Sequence, residues 1–405
     1  MAAEWMDLTL REAGVTLTDC DHRTPPAVAS GLAYIAIPQL KEGRIDLSEV
    51  RRISRDHFVE WTRKAKPQHH DVILSRRCNP GETAYVREGL ECALGQNLVL
   101  LRSDGSKIYP PFLRWLVRGR QWWEQVRAFI NVGAVFESLK CADIPNFKLS
   151  LPPLAEQKAI AGVLVGLDEK IELNRRMNAT LEAMSRTLFQ SWFVDFDLCK
   201  GTDPLTAPEF RKLYPPELLE TADGSIPKGW KTRSLDEMAV YLNGLALQKY
   251  PANDGPTLPV IKIAQLRKGS TEGADKCSAA IPPDYIIQDG DVLFSWSGSL
   301  EVELWCGGTG ALNQHLFKVT SQEFPKWFYF LWTRHHLETF RRIAASKATT
   351  MGHIQRRHLT EAKVLVPPRE LIQAMGGIMK PLIDKIIANR VQSRTLAELR
   401  DTLLP

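Results

Sequence analysis

Asn79-Pro80 is the first place where residue type and spacing invite a chemical reading. Amino-methyltransferases hold their target nitrogen in an Asn-Pro-Pro-aromatic turn. Here Gly81 and Glu82 follow, so the second proline and the stacking ring are both missing, and a β-turn is the ordinary reading. No G-x-x-x-x-G-K-[ST] run occurs, which removes the loop that cradles nucleotide phosphates. His69-His70 and His335-His336 are adjacent pairs whose rings face different ways on a helix or strand, without partner ligands. The seven cysteines are an odd number with no C-x-x-C, which argues against a zinc site and against a disulfide framework. The expectation is a chain with no catalytic residues, no metal and no cofactor of its own.

The cationic residues offer more. Arg51-Arg52, Arg63-Lys64-x-Lys66, Arg76-Arg77, Lys262, Arg267-Lys268, Arg334, Arg341-Arg342, Lys347 and Arg356-Arg357 fall in two regions, 1–151 and 227–366. Most such clusters are solvated faces. On a nucleic acid, cations of this kind would supply phosphate contacts, while Arg, Asn and Gln on loops would read base edges. The loop candidates are Arg76, Arg77 and Asn79 in the first region and Trp296, Ser297 and Ser299 in the second. Each set follows the end of an apolar run, where a rigid scaffold commonly presents functional loops. Lys262, Arg267, Lys268, Arg356 and Arg357 complete the set of candidate contacts. Trp115, Trp122 and Trp123 read as core more readily than as base-stacking platforms.

The elements that must position these residues are given by an internal repeat, the strongest architectural signal in the chain. Pro152-Pro153 opens a long periodic stretch, and Pro367-Pro368 opens another 215 residues later; residues 152–190 and 367–405 share thirteen identities in 39 ungapped positions. Leu164, Leu167, Ile171, Asn174, Asn178, Leu181, Ser185 and Leu188 are spaced by threes and fours. Their counterparts are Met379, Leu382, Ile386, Asn389, Ser393, Leu396, Arg400 and Leu403. This spacing over about three heptads indicates a coiled-coil seam with polar members that trade stability for register. Two ordinary amphipathic helices in a bundle are the alternative. The matched lengths and asparagines favour an antiparallel pair, with a two-fold axis bringing Asn174 close to Asn389.

Each helix follows a head of mixed α/β character. Leu32–Ile37, Asp71–Ser75 and Gln96–Leu101 read as short buried strands, and Pro111 to about Phe129 as an aromatic helix. The second head repeats the order: Ile261-Lys262-Ile263-Ala264-Gln265-Leu266 answers Ile35–Leu40, and Asp291-Val292 answers Asp71-Val72. Ala311-Leu312-Asn313-Gln314-His315-Leu316 answers Ala93–Leu98, and Trp327–Trp332 answers the aromatic helix. The frame is shared and the residues hung on it differ. The expected organisation is α+β: a head over 1–151, a helix over 152–197, a proline-containing linker over 198–226, a second head over 227–366 and a second helix over 367–405.

Composition excludes disorder, with 44% hydrophobic and 24% charged residues over 405 positions. A net charge of +5 permits a nucleic-acid partner without requiring one. No basic-then-apolar N-terminal segment and no membrane-length apolar run are present, so a cytoplasmic protein is expected.

Several strings resemble the DNA-specificity subunits of type I restriction–modification systems. Leu151-Pro152-Pro153-Leu154-Ala155-Glu156-Gln157 resembles that family's entry to its first spacer helix, and Ser191-Trp192-Phe193-Val194-Asp195-Phe196-Asp197 its exit. Ser225-Ile226-Pro227-Lys228-Gly229-Trp230 is similar to the start of a target recognition domain, and Gly290-Asp291-Val292-Leu293-Phe294-Ser295 to its central strand. Arg76-Arg77-Cys78-Asn79 departs from the family's Gly-containing turn, which Ser297-Gly298 keeps, and Arg369-Glu370-Leu371-Ile372 departs from Leu-x-Glu-Gln. The resemblance implies a subunit that does no chemistry. Two target recognition domains each read a half-site in double-stranded DNA, and the helices hold the half-sites apart. Two modification subunits methylate adenine with S-adenosylmethionine, and two restriction subunits using ATP and Mg can join. DNA binding would place such a subunit with the prokaryotic nucleoid. Phe189, Trp192 and Phe193 are expected to be outward-facing partner contacts. The rivals are a stand-alone DNA methyltransferase and a coiled-coil scaffold joining two protein-binding domains; neither the missing motifs nor the basic heads favour them.

Overall fold

The structure is a computed structural model describing residues 4–132, 137–201, 212–221, 224–346 and 352–405. It divides into two compact units, Met1–Lys170 with Leu396–Pro405, and Ile171–Thr395. In the first unit, strands Val15–Asp19, Leu98–Ser103, Val72–Ser75 and Thr83–Tyr85 lie in that order as an antiparallel sheet. Val72 and Leu74 bury into one apolar cluster and Ile73 into another, so both faces are covered and the strand is a continuous apolar run rather than an alternating one. Strand Leu32–Ile35 runs antiparallel to Arg51–Ile53 and parallel to Cys92–Leu94.

Boundaries shift where local chemistry intervenes. The strand expected to reach Ile37 stops at Ile35, because the Gln39 side chain accepts from the Ala36 N–H at 3.1 Å and a 3-10 turn, Ile37–Gln39, follows with Pro38 in its first turn. The strand expected from Gln96 starts at Leu98, after Asn97 takes a φ of +66°. The single aromatic helix is two helices, Pro110–Leu116 and Arg120–Phe129, separated at Gly119, whose backbone is extended. Phe112, Trp115 and Trp122 are wholly buried, as core residues.

The second unit repeats this frame. Val240–Asn243, Leu316–Thr320, Val292–Ser295 and Val302–Leu304 form the matching antiparallel sheet, and Thr257–Ile261 runs parallel to Gly310–Leu312. An antiparallel strand pair closes each head: Met6–Thr9 with Lys148–Leu151, and Lys231–Ser234 with Lys363–Val366. Each head therefore begins beside the strand that leads out of it into a long helix.

Those helices are Leu154–Gln190 and Arg369–Thr402. The preceding prolines fit because the first helical N–H groups have no partner in any case. The Pro153 carbonyl accepts from Gln157 N–H at 3.0 Å, and the Pro368 carbonyl from Leu371 N–H at 3.0 Å. Within the second unit the two helices run antiparallel. The Asn174 amide donates to Gln392 Oε1 at 2.9 Å and Ser393 Oγ at 3.2 Å, while the Asn178 amide donates to the Ile386 carbonyl at 3.2 Å. Asn389 donates to Asn178 Oδ1 at 2.9 Å, and its carbonyl lies 3.4 Å from Asn174 Nδ2. Ile171, Asn174, Leu188, Ile386 and Asn389 are buried seam residues.

Five expected seam leucines are less buried than the spacing implies. Leu167 and Leu382 are half-buried, and the residues after them, Asp168 and Ile383, take the buried positions instead. Leu181 and Leu396 are half-buried, and Leu403 is 45% exposed because the helix ends at Thr402. Phe189, Trp192 and Phe193 are not an outward surface: they are 5%, 0% and 1% exposed. Their i, i+3, i+4 spacing is a single helical face, and that face packs into the second unit's core against Trp332, Trp327 and Phe328. After a π-helical turn, Ser191–Asp195, the linker carries Tyr214, whose hydroxyl donates to the Trp192 carbonyl, and a hairpin of Leu218–Thr221 with Gly224–Pro227. No helix among the described residues is long and apolar enough to cross a membrane.

Candidate nucleic-acid interface

The candidate loops occupy one place in the two frames. In the first head, Ser75 N–H donates to the Glu82 carbonyl at 2.9 Å; in the second, Ser295 N–H donates to the Glu301 carbonyl at 2.9 Å. Each serine hydroxyl then donates into its own turn, Ser75 to the Arg77 carbonyl at 2.9 Å and Ser295 to the Ser299 carbonyl at 2.5 Å. The turns so pinned are Arg76–Gly81 and Trp296–Leu300, one residue different in length and unlike in sequence. The frame is thus specified by backbone bonds and a buried serine, while the tip is left open to variation.

Two further segments join each turn, and the first, at Ser138-Leu139 and His353-Ile354, was not singled out from the sequence. Leu139 N–H donates to the Arg76 carbonyl at 2.9 Å, and Ile354 N–H to the Trp296 carbonyl at 3.0 Å. Arg77 bridges Ser138, as Ser297 bridges His353. Ser138 and His353 lie 215 residues apart, the spacing of the helix repeat, which is the sequence signal that would have paired them. From the other side, Arg76 N–H donates to the Asn97 carbonyl at 2.9 Å and Trp296 N–H to the His315 carbonyl at 3.4 Å.

The named side chains divide into anchors and free tips. Arg76 is an anchor: its guanidinium sits 3.8 Å from Asp19 and donates to the Leu139 carbonyl at 3.4 Å, leaving the side chain 14% exposed. Trp296 donates its indole N–H to Asn243 Oδ1 at 2.9 Å and packs beside Phe317 and His315. Ser297 is 4% exposed, with its hydroxyl 3.0 Å from His315 Nδ1, so burial removes it from the exposed tip. Arg77, Asn79 and Ser299 are exposed. Asn79-Pro80-Gly81 is a turn rather than a catalytic motif. The Trp122 indole donates to the Gly81 carbonyl at 2.9 Å, and Gly81, with φ +96°, has no room for a Cβ, which would meet Trp123 and Val126 at 2.8 and 2.9 Å.

Arg356 and Arg357 are exposed and open a short helix two residues after the Ile354 bridge, with Arg356 donating to the Tyr241 carbonyl at 3.3 Å. Lys262, Arg267 and Lys268 belong to a different element, the helix Ile263–Lys268 and its N-cap; all three are exposed. Lys262 pairs with Asp275 and Lys268 with Glu272, whereas Arg267 forms no ion pair among the described residues. Lys347 lies outside the described residues. Among the described residues, neither histidine pair belongs to a cluster of potential metal ligands. Burial pushes His336 down to about 4, and its Nε2 lies 2.8 Å from the Lys363 carbonyl. Asp19, Cys20 and His22 bring ligand atoms within 4.8 Å of one another, but the Arg76 guanidinium already supplies a positive charge beside Asp19, and burial raises the Cys20 thiol.

Comparison with known proteins agrees with this arrangement. The family described as type I restriction modification DNA specificity domain matches residues 30–183 and 227–396. The type I restriction enzyme MjaIX specificity subunit of Methanocaldococcus jannaschii is 26% identical over 343 residues, covering 82% of this chain and 76% of that one. The HindI specificity subunit of Haemophilus influenzae is 21% identical over 390 residues, covering 83% and 85%. The crystal structure of the type I restriction–modification system S subunit from M. genitalium shares the fold, with a TM-score of 0.58 at 14% identity, covering 99% of this chain and 95% of that one.

Proposed function

The chain belongs to the family of type I restriction–modification DNA-specificity subunits, and we propose that it reads a bipartite, asymmetric DNA target while scaffolding its modification subunits. In this reading, residues 1–151 and 227–366 are the two target recognition domains, 152–197 and 367–405 the spacer helices, and 198–226 the linker. The observation that carries it is the pairing of one backbone frame with two unlike tips: equivalent bonds pin Arg76–Gly81 and Trp296–Leu300, whose residues differ. Equivalent placement suits two domains facing one kind of polymer, and unlike residues suit two unequal half-sites. Exposed Arg77, Arg267 and Arg357 supply cations for phosphate or base edges. The chain is a non-catalytic subunit here; S-adenosylmethionine belongs to the modification subunits, and ATP and Mg to restriction subunits where these join.

Two modification subunits per chain is the stoichiometry we infer. Val163 and Ile378 are repeat counterparts, as are Met184 and Leu399, and all four are exposed, at 56%, 38%, 47% and 48%. Val163 and Leu399 belong to one unit and Met184 and Ile378 to the other, so each unit carries an equivalent apolar pair. Equivalent pairs suit two copies of one partner. The test is DNA affinity of the complex across a salt series together with its mass by light scattering. A steep, log-linear loss of affinity with salt and a 2:1 mass are expected. Salt-insensitive binding, or a 1:1 mass at excess modification subunit, would overturn the corresponding half.

A further inference from the structure

One polar residue is shared beside both reading tips, although the residues directly flanking it differ. Ala93-Leu94-Gly95-Gln96-Asn97-Leu98 and Ala311-Leu312-Asn313-Gln314-His315-Leu316 agree at four of six positions, and the one shared polar residue is the glutamine. The turns that hold it are closed by the same backbone bonds. Gly95 N–H donates to the Ile35 carbonyl at 2.6 Å and Leu98 N–H to the Gly95 carbonyl at 3.3 Å; Asn313 N–H donates to Ile261 at 3.3 Å and Leu316 N–H to Asn313 at 2.9 Å. None of these bonds uses the glutamine side chain.

Nor does the fold require that side chain locally. The Gln96 amide donates to Thr24 Oγ1 at 3.1 Å, while Gln314 Nε2 faces the His315 ring nitrogen at 3.4 Å. A residue kept for packing would keep its partner; these two have unrelated ones. Backbone conformation does not demand glutamine either, since the residue after it has φ +66° in the first head, at Asn97, and not in the second. Gln96 is exposed and Gln314 half-buried. The residue following each is bound through its carbonyl to the first residue of the reading turn, Arg76 or Trp296. The glutamine therefore sits next to the tip in both heads, on a frame that holds it in the same place.

A requirement common to two otherwise unlike readers accounts for this retention. A glutamine amide carries a donor and an acceptor side by side, which matches adenine N7 and N6–H₂ in the major groove and no other base as well. We propose that Gln96 and Gln314 are equivalent specificity-determining residues, each reading the major-groove edge of an adenine in its own half-site. The two half-sites, unequal elsewhere, then share an adenine at the corresponding position. The inference rests on the DNA-reading function proposed above.

The experiment uses the complex of the full chain with its modification subunits and a duplex carrying its own target, with one adenine at a time replaced by 7-deazaadenine, which lacks the N7 acceptor. One adenine in each half-site should prove sensitive, with binding weakened about five- to 150-fold. Q96A should lower affinity for the unmodified target by a similar factor and abolish the sensitivity in one half-site while keeping it in the other. Q314A should do the reverse. The retained half-site reports that each variant is folded. Variants that bind as wild type, or that keep both sensitivities, would overturn the inference while leaving DNA reading intact. A wild-type complex without sequence preference would instead overturn the function on which it rests.

Discussion

Asp168→Asn is expected to weaken the first unit severely. The Asp168 side chain is 9% exposed and accepts from three arginines: Arg44 at 2.8 Å, Arg114 at 2.5 Å and Arg400 at 2.9 Å. Burial pushes its carboxyl up, but the Arg44 and Arg114 charges and the bonds from Arg44 and Arg400 outweigh it, leaving the group below the usual carboxylate range. The asparagine keeps the shape and removes the charge, so the arginines are left buried around a neutral amide. Breaking a buried ion pair from one side costs about 3–5 kcal/mol. The value here should fall near the lower end, about 3 kcal/mol, because Arg400 and Arg114 keep other support. Arg400 retains Asp401 at 2.7 Å, and Arg114 stacks over Tyr85 and Trp115 at 3.8 and 4.0 Å. The repeat counterparts of Asp168 and Arg400 are Ile383 and Ser185, both buried, so the seam itself does not require charge at this level. Two units preclude a single unfolding free energy, and hydrogen exchange resolved to residues 154–170 and 396–405 is the suitable assay. Because the folded carboxyl is depressed, its contribution is present above about pH 3.9 and is lost as pH falls through the folded value. Arg400→Ser combined with Asp168→Asn should cost at least 1 kcal/mol less than the sum of the two, the coupling expected of contacting residues. Protection within about 1 kcal/mol of wild type in Asp168→Asn, or strict additivity in the double variant, would refute the reasoning.

Arg77→Ala and Asn79→Ala should alter recognition of one half-site by about 1–3 kcal/mol and leave the other unchanged, as read by methylation of target libraries. Heptads inserted after Leu181 and after Lys385 keep the asparagine layer together and lengthen each helix by about 10 Å, or about three base pairs. The same half-sites with a wider spacer are expected by methylome sequencing, and new half-site bases with the old spacing would remove the helices as a ruler. His336 is depressed to about 4 by burial, so the unfolded chain binds its proton first as pH falls below 6.5. Stability of the second unit should therefore decline from pH 6.5 toward 4 by on the order of 1–3 kcal/mol, and His336→Gln should flatten that part of the profile in hydrogen exchange resolved to that unit.

The architecture was legible because it is written twice. Thirteen identities over the helices located the seam, and the two-fold relation they implied brings Asn174 to Asn389. Periodicity placed the seam to within one residue, but it could not decide between Leu167 and Asp168. A leucine is the better seam residue in isolation, and only the arrival of Arg44, Arg114 and Arg400 from distant segments makes the aspartate the buried one. Phe189, Trp192 and Phe193 were misassigned for a related reason. An apolar helical face declares that it is covered, not by what, and here the cover is the second unit's own aromatic helix. Exposure of the candidate turns was legible at the strand ends, which carry Arg77, Asn79 and Ser299. It was illegible for Arg76 and Ser297, because their partners Asp19 and His315 are brought in by strand pairing that spacing along the chain does not reveal.

Methylation-sensitive sequencing of a host carrying this chain with its modification subunits tests the central claim most directly. Two frames with unlike tips predict methylated adenines confined to one bipartite motif, with two different half-sites separated by a fixed number of unspecified bases. Exchanging residues 76–81 for the corresponding turn of a relative should change one half-site and preserve the other and the spacing. A palindromic motif, methylation without sequence preference, or an exchange that rewrites both half-sites together would contradict the account.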